Sequence, residues 1–189
     1  MKSEIAEREW KLMEQTLKEV SKFALGPDLA EIGIRKGGTT QKIIKCLESM
    51  SCEYFFYGVD IDKRSSDFWK GSERAKLIIG SSCDAAELIP DGSLSWCLID
   101  ADHSYKAVCA DIDAYLPKMD GNSFLLFHDT GLWDNIWFDI YAQFGVLKAL
   151  QDKAGMLRSA GFRPYLYSEQ RLKPERERAE HGIIIYKRG

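Results

Sequence analysis

The sequence predicts an α/β fold in which a mostly parallel β-sheet is covered by helices on both faces. Short apolar runs alternate with helical stretches between residues 29 and 129, and this alternation is typical of βαβ units. The apolar runs are nearly continuous, which indicates strands that are buried on both faces. Two further apolar runs, residues 161–168 and 181–187, flank a charged segment and predict a closing antiparallel hairpin.

The chain begins with a predicted amphipathic helix over residues 3–24, where apolar residues recur at intervals of three and four before Gly26-Pro27 ends the pattern. Strands and helical segments then alternate, with strands predicted at 29–34, 53–61, 75–80, 94–100 and 123–129 and helices at 39–50, 83–89 and 103–119. A helical region rich in aromatic residues precedes the hairpin. We therefore divide the chain into an N-terminal helical appendage, residues 1–26, and a single domain, residues 27–189.

Composition narrows the class of protein. The 189 residues are 45% hydrophobic, enough for one well-buried domain. A net charge of −3 provides no global positive field for nucleic acid. The five cysteines lack CxxC spacing, which is typical of reduced thiols. Because there is neither a membrane-length apolar run nor a signal-peptide core, we expect a cytoplasmic protein with no nucleic-acid or membrane partner. A homodimer is compatible with the sequence.

The first predicted strand runs into a glycine-rich loop, EIGIRKGGTT, at residues 31–40. Ligands of open α/β sheets bind beyond the carboxyl ends of the strands. Gly33 and Gly37 allow a tight turn and a close approach of a ligand to the backbone. Thr39 or Thr40 can cap the next helix, and Glu31 can fix the loop or bind a ligand amine. The glycine spacing differs from the G-x-G-x-x-G of dinucleotide-binding folds, and the alternative is simply a tight connection.

The second and third strands end in residues that suit a nucleoside. Asp60 follows the second strand, at the distance from the glycine loop where a ribose diol lies in nucleotide sites. Ser82, Cys83 and Asp84 follow the third strand and could border a purine.

Acidic residues follow the fourth and fifth strands. Asp100 and Asp129 end neighbouring strands of the predicted sheet, and such strands lie about 4.8 Å apart. Two carboxylates at that separation repel each other unless a cation or a proton lies between them. Mg²⁺ prefers oxygen ligands of this kind. The alternative is that one acid caps the following helix and the other faces solvent.

Five segments in order resemble successive motifs of the class I S-adenosylmethionine-dependent methyltransferases: EIGIRKGGTT, YGVD, IIGSSCDAA, LIDADHSY and LLFHDT. They are similar to family 24-type small-molecule O-methyltransferases over residues 28–130. The resemblance implies a Rossmann-like, doubly wound, seven-stranded sheet whose final strand is antiparallel. It implies S-adenosylmethionine as cofactor and a small-molecule hydroxyl as methyl acceptor. Its implied cofactor contacts are Glu31, Gly33, Gly37 and Thr39 around the methionine portion, Asp60 at the ribose, Ser82, Cys83 and Asp84 at the adenine, and Asp100.

Metal-dependent O-methyltransferases similar to the catechol and caffeoyl-CoA enzymes extend the resemblance. Their metal-binding acids correspond to Asp100 and Asp129, which implies Mg²⁺ or a similar divalent cation. Their next position is usually asparagine, whereas this chain has Thr130, a weaker neutral ligand. The third ligand therefore stays open between Thr130, Asp102 and water.

Three histidines fall near these motifs. His103 corresponds to a catalytic lysine in the similar enzymes, and an imidazole there could accept the proton of the acceptor hydroxyl. The alternative for His103 is an exposed position beside a helix cap. His128 could ligate the metal, act as a base, or orient Asp129. His181 is expected to have no chemical role. We count Asp100, His103 and His128 as the catalytic candidates.

Three other functions are less consistent with the sequence. The glycine spacing and the lack of a second substrate domain argue against a nicotinamide-dependent oxidoreductase. A non-catalytic cofactor-binding module does not need the acids and histidines. The chain lacks the basic stripe and the Asp/Asn-Pro-Pro-aromatic segment that are expected of a nucleic-acid methyltransferase. An aromatic stripe is expected to lie in the core or at a dimer surface rather than in the wall of a substrate pocket; it consists of Trp133, Trp137, Tyr141 and Phe144. Residues 171–180 are expected to form a solvated loop.

Overall fold

A computed structural model describes residues 5–24, 26–69, 73–130, 145–168 and 181–189. Seven strands form one sheet in the order β3-β2-β1-β4-β5-β7-β6. Their bounds are β1 (Asp28–Ile32), β2 (Phe55–Asp60), β3 (Ala75–Ile79), β4 (Leu94–Ile99), β5 (Met119–His128), β6 (Phe162–Ser168) and β7 (Ile183–Arg188). The first five strands are parallel, and β7 lies antiparallel between β5 and β6. The predicted mostly parallel, doubly wound sheet with its C-terminal hairpin is confirmed.

Helices cover both faces of this sheet. They are α1 (Glu7–Phe23), α2 (Gly38–Ser49), α3 (Ser82–Ala86), α4 (Tyr105–Tyr115) and α5 (Gly145–Ser159). One core cluster joins α1 and α2 to alternate strand residues such as Phe56, Trp96 and Phe124. The other cluster joins α3, α4 and α5 to the intervening residues, such as Val59 and Cys97. Because both faces are covered, every residue of β4 is buried, which explains its nearly continuous apolar sequence.

Several element boundaries differ from the sequence prediction by up to four residues, and two of these differences have a clear cause. The predicted helix over residues 103–119 ends at Tyr115 and passes into a 3₁₀ turn, Leu116–Lys118. Pro117 has no N–H with which to continue the α-helical ladder, so the helix stops there. The fifth strand begins at Met119, four residues earlier than predicted, because a register shift lets Met119 pair with Leu94 before the regular ladder starts.

Helix α1 packs into the core of the domain. Met13, Leu17 and Val20 are fully buried in the cluster shared with α2 and the sheet, and the indole Nε1 of Trp96 donates a hydrogen bond to the Thr16 hydroxyl at 2.9 Å. The division of the chain at residue 26 stays a prediction. No helix among the described residues is long and apolar enough to cross a membrane. The aromatic stripe at residues 133–144 and the charged segment 171–180 lie outside the described residues.

The order of the strands creates a crevice beyond β1 and β4. The chain runs from β1 outward to β2 and β3, then returns to the other side of β1 as β4 and β5. Ligands of open α/β sheets bind at this switch point. Gly33 has a φ of +94°, and a Cβ there would lie 2.3 Å from the carbonyl oxygen of Asp100. Only glycine therefore lets the first loop lie against the end of β4.

Candidate active site

The first cavity lies at the carboxyl ends of β1, β2, β3 and β4 and has a volume of about 470 Å³. Among the predicted cofactor contacts, Gly33, Asp60, Ser82 and Asp100 line it. Cys83 and Asp84 lie next to Ser82 in the first turn of α3, where the Asp84 carboxylate accepts a hydrogen bond from the Ser81 hydroxyl. The exposed side chain of Ile61 forms an apolar wall of the same cavity.

Asp60 joins the end of β2 to the glycine loop. One carboxylate oxygen accepts the backbone N–H of Arg35 at 2.6 Å, and the other accepts that of Asp62 at 2.8 Å. Arg35 has a φ of 49°, in the left-handed region, so this hydrogen bond stabilises an uncommon conformation for a non-glycine residue. A carboxylate has about four acceptor positions, so Asp60 can still accept hydrogen bonds from a ligand's hydroxyl groups.

Glu31, at the end of β1, is buried and accepts a hydrogen bond from the Thr40 hydroxyl. Burial, together with the negative charges of Asp100 and Asp60, outweighs that hydrogen bond and raises the pKa of Glu31 to about 8. Such a carboxyl group becomes ionised more easily when a cationic group binds beside it. Gly37 is the N-cap residue of α2, in the left-handed conformation, and Thr39 and Thr40 are buried in the first turn. The prediction that one of these threonines caps the helix is therefore wrong, because Gly37 holds that position.

A second cavity, of about 320 Å³, adjoins the first. It is lined by the glycine loop, by the ends of β4 and β5, and by the turn before β7. Glu31 and Thr39 line this second cavity, whereas Gly33, Arg35 and Asp100 line both cavities. Groups bound in the two cavities would therefore meet beside Gly33 and Asp100.

Asp100, His103 and Asp129 converge on the second cavity. Their ligand atoms all lie within 4.8 Å of one another. Nε2 of His103 lies 3.0 Å from an oxygen of Asp129 and 3.6 Å from an oxygen of Asp100. Burial disfavours the charged imidazole, but the two carboxylates outweigh it and raise the pKa of His103 to about 10. Burial likewise opposes ionisation of Asp129, yet the neighbouring imidazoles hold the pKa of Asp129 far below its usual range.

His128 lies behind the two carboxylates. Its Nδ1 is 3.0 Å from Asp100 and 3.2 Å from Asp129, and its Nε2 is 3.3 Å from Glu9. The side chain is only 4% exposed. Burial opposes a positive charge on the ring, but Asp100 and the other carboxylates raise the pKa of His128 well above its usual value. His128 as the residue that orients Asp129 stays a prediction, as do its alternative roles as ligand or base.

Glu9 of α1 is a site residue that the sequence interpretation missed. Its carboxylate is fully buried and accepts the backbone N–H groups of Ala6, His181 and Gly182, each at 2.8 Å, besides its contact with His128. Its spacing along the helix was the sequence feature that could have identified it as a buried residue. Glu9 precedes Met13 by four residues and so lies on the buried stripe of an otherwise amphipathic helix.

His181 is the second residue that was missed, because no chemical role was expected for it. Its Nδ1 lies 2.9 Å from an oxygen of Asp129. Since β7 is antiparallel, it enters the sheet at the edge where β5 leaves, and His128 pairs with Ile183. The residues just before β7 must therefore lie beside those just after β5. The predicted hairpin thus already implied that His181 lies close to Asp129.

Neither Thr130 nor Asp102 lines the second cavity. Thr130 is buried, and its backbone N–H donates to the carbonyl of Gly182 at 3.3 Å. Asp102 is exposed, and its carboxylate accepts the backbone N–H of Ser104 at 2.8 Å. Thr130 as a cation ligand stays a prediction.

Comparisons with known proteins agree with this fold. The model of a methyltransferase domain, family 24, matches residues 30–130. No curated protein matches the sequence. Among solved structures, an O-methyltransferase from Bacillus cereus in complex with SAH is similar with 13% identity and a TM-score of 0.68, covering 95% of this chain and 81% of that one.

Two further solved structures share the fold. A SAM-dependent methyltransferase from Archaeoglobus fulgidus has 15% identity and a TM-score of 0.58, with 94% of each chain covered. One from Aquifex aeolicus has 11% identity and a TM-score of 0.58, covering 91% of this chain and 88% of that one. The family match spans more than half of the sequence, from β1 to the end of β5, and includes the residues that form the crevice. The chain therefore belongs to the class I S-adenosylmethionine-dependent methyltransferases.

Proposed function

We propose that this methyltransferase transfers the methyl group of S-adenosylmethionine to a hydroxyl group of a small molecule, assisted by a divalent cation. The observation that carries the proposal is the convergence of Asp100, His103 and Asp129 within 4.8 Å, directly beside the cofactor crevice. The similar Bacillus cereus protein is an O-methyltransferase.

The first cavity suits the nucleoside part of the cofactor. Asp60 would accept hydrogen bonds from the ribose hydroxyls, and Ser82, with Cys83 and Asp84 beside it, would border the adenine. The amino group of the methionine portion would lie near Glu31, because a cationic neighbour favours the ionised form of this buried carboxyl group. Gly33, which lines both cavities, and Thr39 leave space beside the methionine portion, whereas Gly37 lines neither cavity and provides the left-handed turn before α2. The methyl group would then face the second cavity at Asp100.

The donor set fits a divalent cation. Asp100 and Asp129 provide carboxylate oxygens, and Nε2 of His103 is a buried ring nitrogen that makes no hydrogen bond with any described residue. A cation bound there would supply positive charge that stabilises the acceptor oxygen as it loses its proton, and it would offset the two carboxylates that otherwise keep His103 protonated. Mg²⁺ is the cation that the sequence predicts.

The remaining task of the chain is positioning. The methyl group is already activated on a sulfonium, so rate depends on bringing the acceptor oxygen into line with it. Among the described residues, the glycine loop and the ends of β4 and β5 line the second cavity of about 320 Å³, a volume that suits a small-molecule acceptor. His128 and His181 hold the carboxylates in place by donating ring N–H groups to Asp100 and Asp129.

The test is a screen of sugars, phenols and carboxylates for release of S-adenosylhomocysteine. With an active hydroxyl acceptor, we expect Asp129→Asn to lower kcat by at least about 100-fold, because the cluster loses a charged ligand. Affinity for S-adenosylmethionine, measured by calorimetry, should change only a few-fold. EDTA treatment should abolish activity, and an added divalent cation should restore it. Full activity after EDTA treatment would show that no cation is needed.

A further inference from the structure

We propose that His103 is itself a ligand of the cation, through Nε2, and that the site therefore favours a first-row transition-metal ion over Mg²⁺. The proposal rests on the proposed function only in requiring that a divalent cation binds at this cluster. It assigns the third position, which the sequence leaves open between Thr130, Asp102 and water, to a nitrogen donor.

The distances are those of ligands that share one ion. Two ligand atoms that each lie about 2.0–2.2 Å from an ion, at an angle between 90° and 110°, are roughly 2.8–3.6 Å apart. Nε2 of His103 lies 3.0 Å from Asp129 and 3.6 Å from Asp100. Both separations fall within that range.

The orientation of the ring separates His103 from the other two histidines. Nδ1 of His128 and Nδ1 of His181 form hydrogen bonds with Asp100 and Asp129. Nε2 of His103 comes equally close to Asp129, yet the ring is not oriented for a hydrogen bond, and the buried atom is without a partner among the described residues. An ion bound between the carboxylates would satisfy it.

The fold fixes the backbone on which His103 stands. Ser104 caps α4 by accepting the N–H of Ala107 at 3.3 Å, and Asp102 accepts the N–H of Ser104 at 2.8 Å. From the other side, the start of α5 presses against this loop, since a Cβ on Gly145 would lie 2.0 Å from the carbonyl oxygen of His103. A side chain on so constrained a backbone is well placed as a preorganised ligand.

The donor set determines which ions bind best. Imidazole suits the later first-row ions such as Fe²⁺, Co²⁺ and Zn²⁺, whereas Mg²⁺ prefers oxygen ligands and retains several waters. Two carboxylates and one imidazole therefore favour the first group. While Nε2 binds an ion it cannot accept a proton, so this role replaces the predicted role of His103 as a base.

Pulsed electron paramagnetic resonance of the Mn²⁺-loaded enzyme tests the ligand directly, because a coordinated imidazole gives a ¹⁴N coupling. We expect this coupling in the native enzyme and its loss in His103→Gln, whose amide oxygen has a similar reach. The matched control is Asp102→Asn, which removes a carboxylate near Asp100 that does not converge on the site, and it should retain the coupling. Bound Mn²⁺ without nitrogen coupling, or a coupling that survives in His103→Gln, overturns the proposal and leaves cation-assisted methylation standing.

Calorimetric titration with Co²⁺ and Mg²⁺ provides a second test. His103→Glu converts the cluster to three carboxylates, so the ratio of Co²⁺ to Mg²⁺ affinity should fall at least about tenfold relative to the native enzyme. His103→Gln should weaken Co²⁺ binding by at least about tenfold while changing Mg²⁺ binding only a few-fold. An unchanged ratio in both variants contradicts the proposal. If no cation binds to the native enzyme, this proposal and the cation part of the proposed function both fail, whereas S-adenosylhomocysteine release still reports methyl transfer.

Discussion

Protonation of the buried Glu31 carboxyl group, at the end of β1, links the stability of the fold to pH. It is 1% exposed, and its pKa is raised to about 8, chiefly by burial. A carboxyl group whose pKa is higher in the folded than in the unfolded chain binds more protons when folded. It therefore stabilises the fold below its unfolded pKa of about 4.5, and that stabilisation is lost as pH rises through about 8.

Replacing Glu31 with Gln should reveal this linkage. The Glu31 contribution to the free energy of unfolding of the native protein should fall by ~1.4 kcal/mol per pH unit between about 4.5 and 8. Glu31→Gln cannot ionise and keeps an acceptor for Thr40, so the variant should gain stability relative to the native protein as pH rises. Urea denaturation at pH 5.5, 7 and 8.5 measures the difference. Exposed Glu48→Gln is the control, and parallel pH profiles for the native protein and Glu31→Gln would contradict the linkage.

At the scale of single elements, α1 contributes a charged residue to the site as well as apolar contacts. Glu9 connects the beginning of α1, the turn before β7 and His128 at the end of β5. Burial opposes its ionisation, but His128 and the backbone donors lower the pKa of Glu9. Glu9 therefore carries a negative charge in the core, compensated by the groups that it holds.

Glu9→Ala should destabilise the protein by several kcal/mol, because it leaves buried backbone N–H groups without acceptors at about 1–3 kcal/mol each. Glu14→Ala on the same helix removes only an exposed pair with Lys18 and should cost less than about 1 kcal/mol. Chemical denaturation of both variants gives the comparison. Equal losses of stability would mean that the contacts of Glu9 contribute little.

Elements and strand ends could be predicted from the sequence because their causes are local. The two covered faces of the sheet make every residue of β4 apolar except Ser95, and parallel strands bring Asp100 and Asp129 to one edge whatever their partners are. Glu9 and His181 depend on contacts across 119 and 52 residues of sequence, to His128 and Asp129 respectively. No short motif encodes such contacts. They follow only once the position of α1 and the antiparallel entry of β7 are known.

At the scale of the whole molecule, the sheet has two core layers, and α1 covers a large part of one. Met13, Leu17 and Val20 are each fully buried in the layer that contains Leu29, Phe56, Trp96 and Phe124. Burying one such side chain contributes about 1.5–3 kcal/mol. The three together are on the order of the entire net stability of a typical domain, about 5–15 kcal/mol.

Removal of residues 1–26 should therefore prevent residues 27–189 from folding stably on their own. Without α1, the apolar residues of one sheet face would contact water, and Glu9 would no longer hold the turn before β7. We expect the fragment to bind the dye ANS and to lack a cooperative thermal transition by circular dichroism, whereas the full chain should show one. A fragment that melts cooperatively and binds S-adenosylmethionine with native affinity would instead show that α1 is an appendage in the energetic sense. The outcome decides whether the boundary at residue 26 separates two structural units or only two stretches of sequence, and the buried contacts of α1 favour the second.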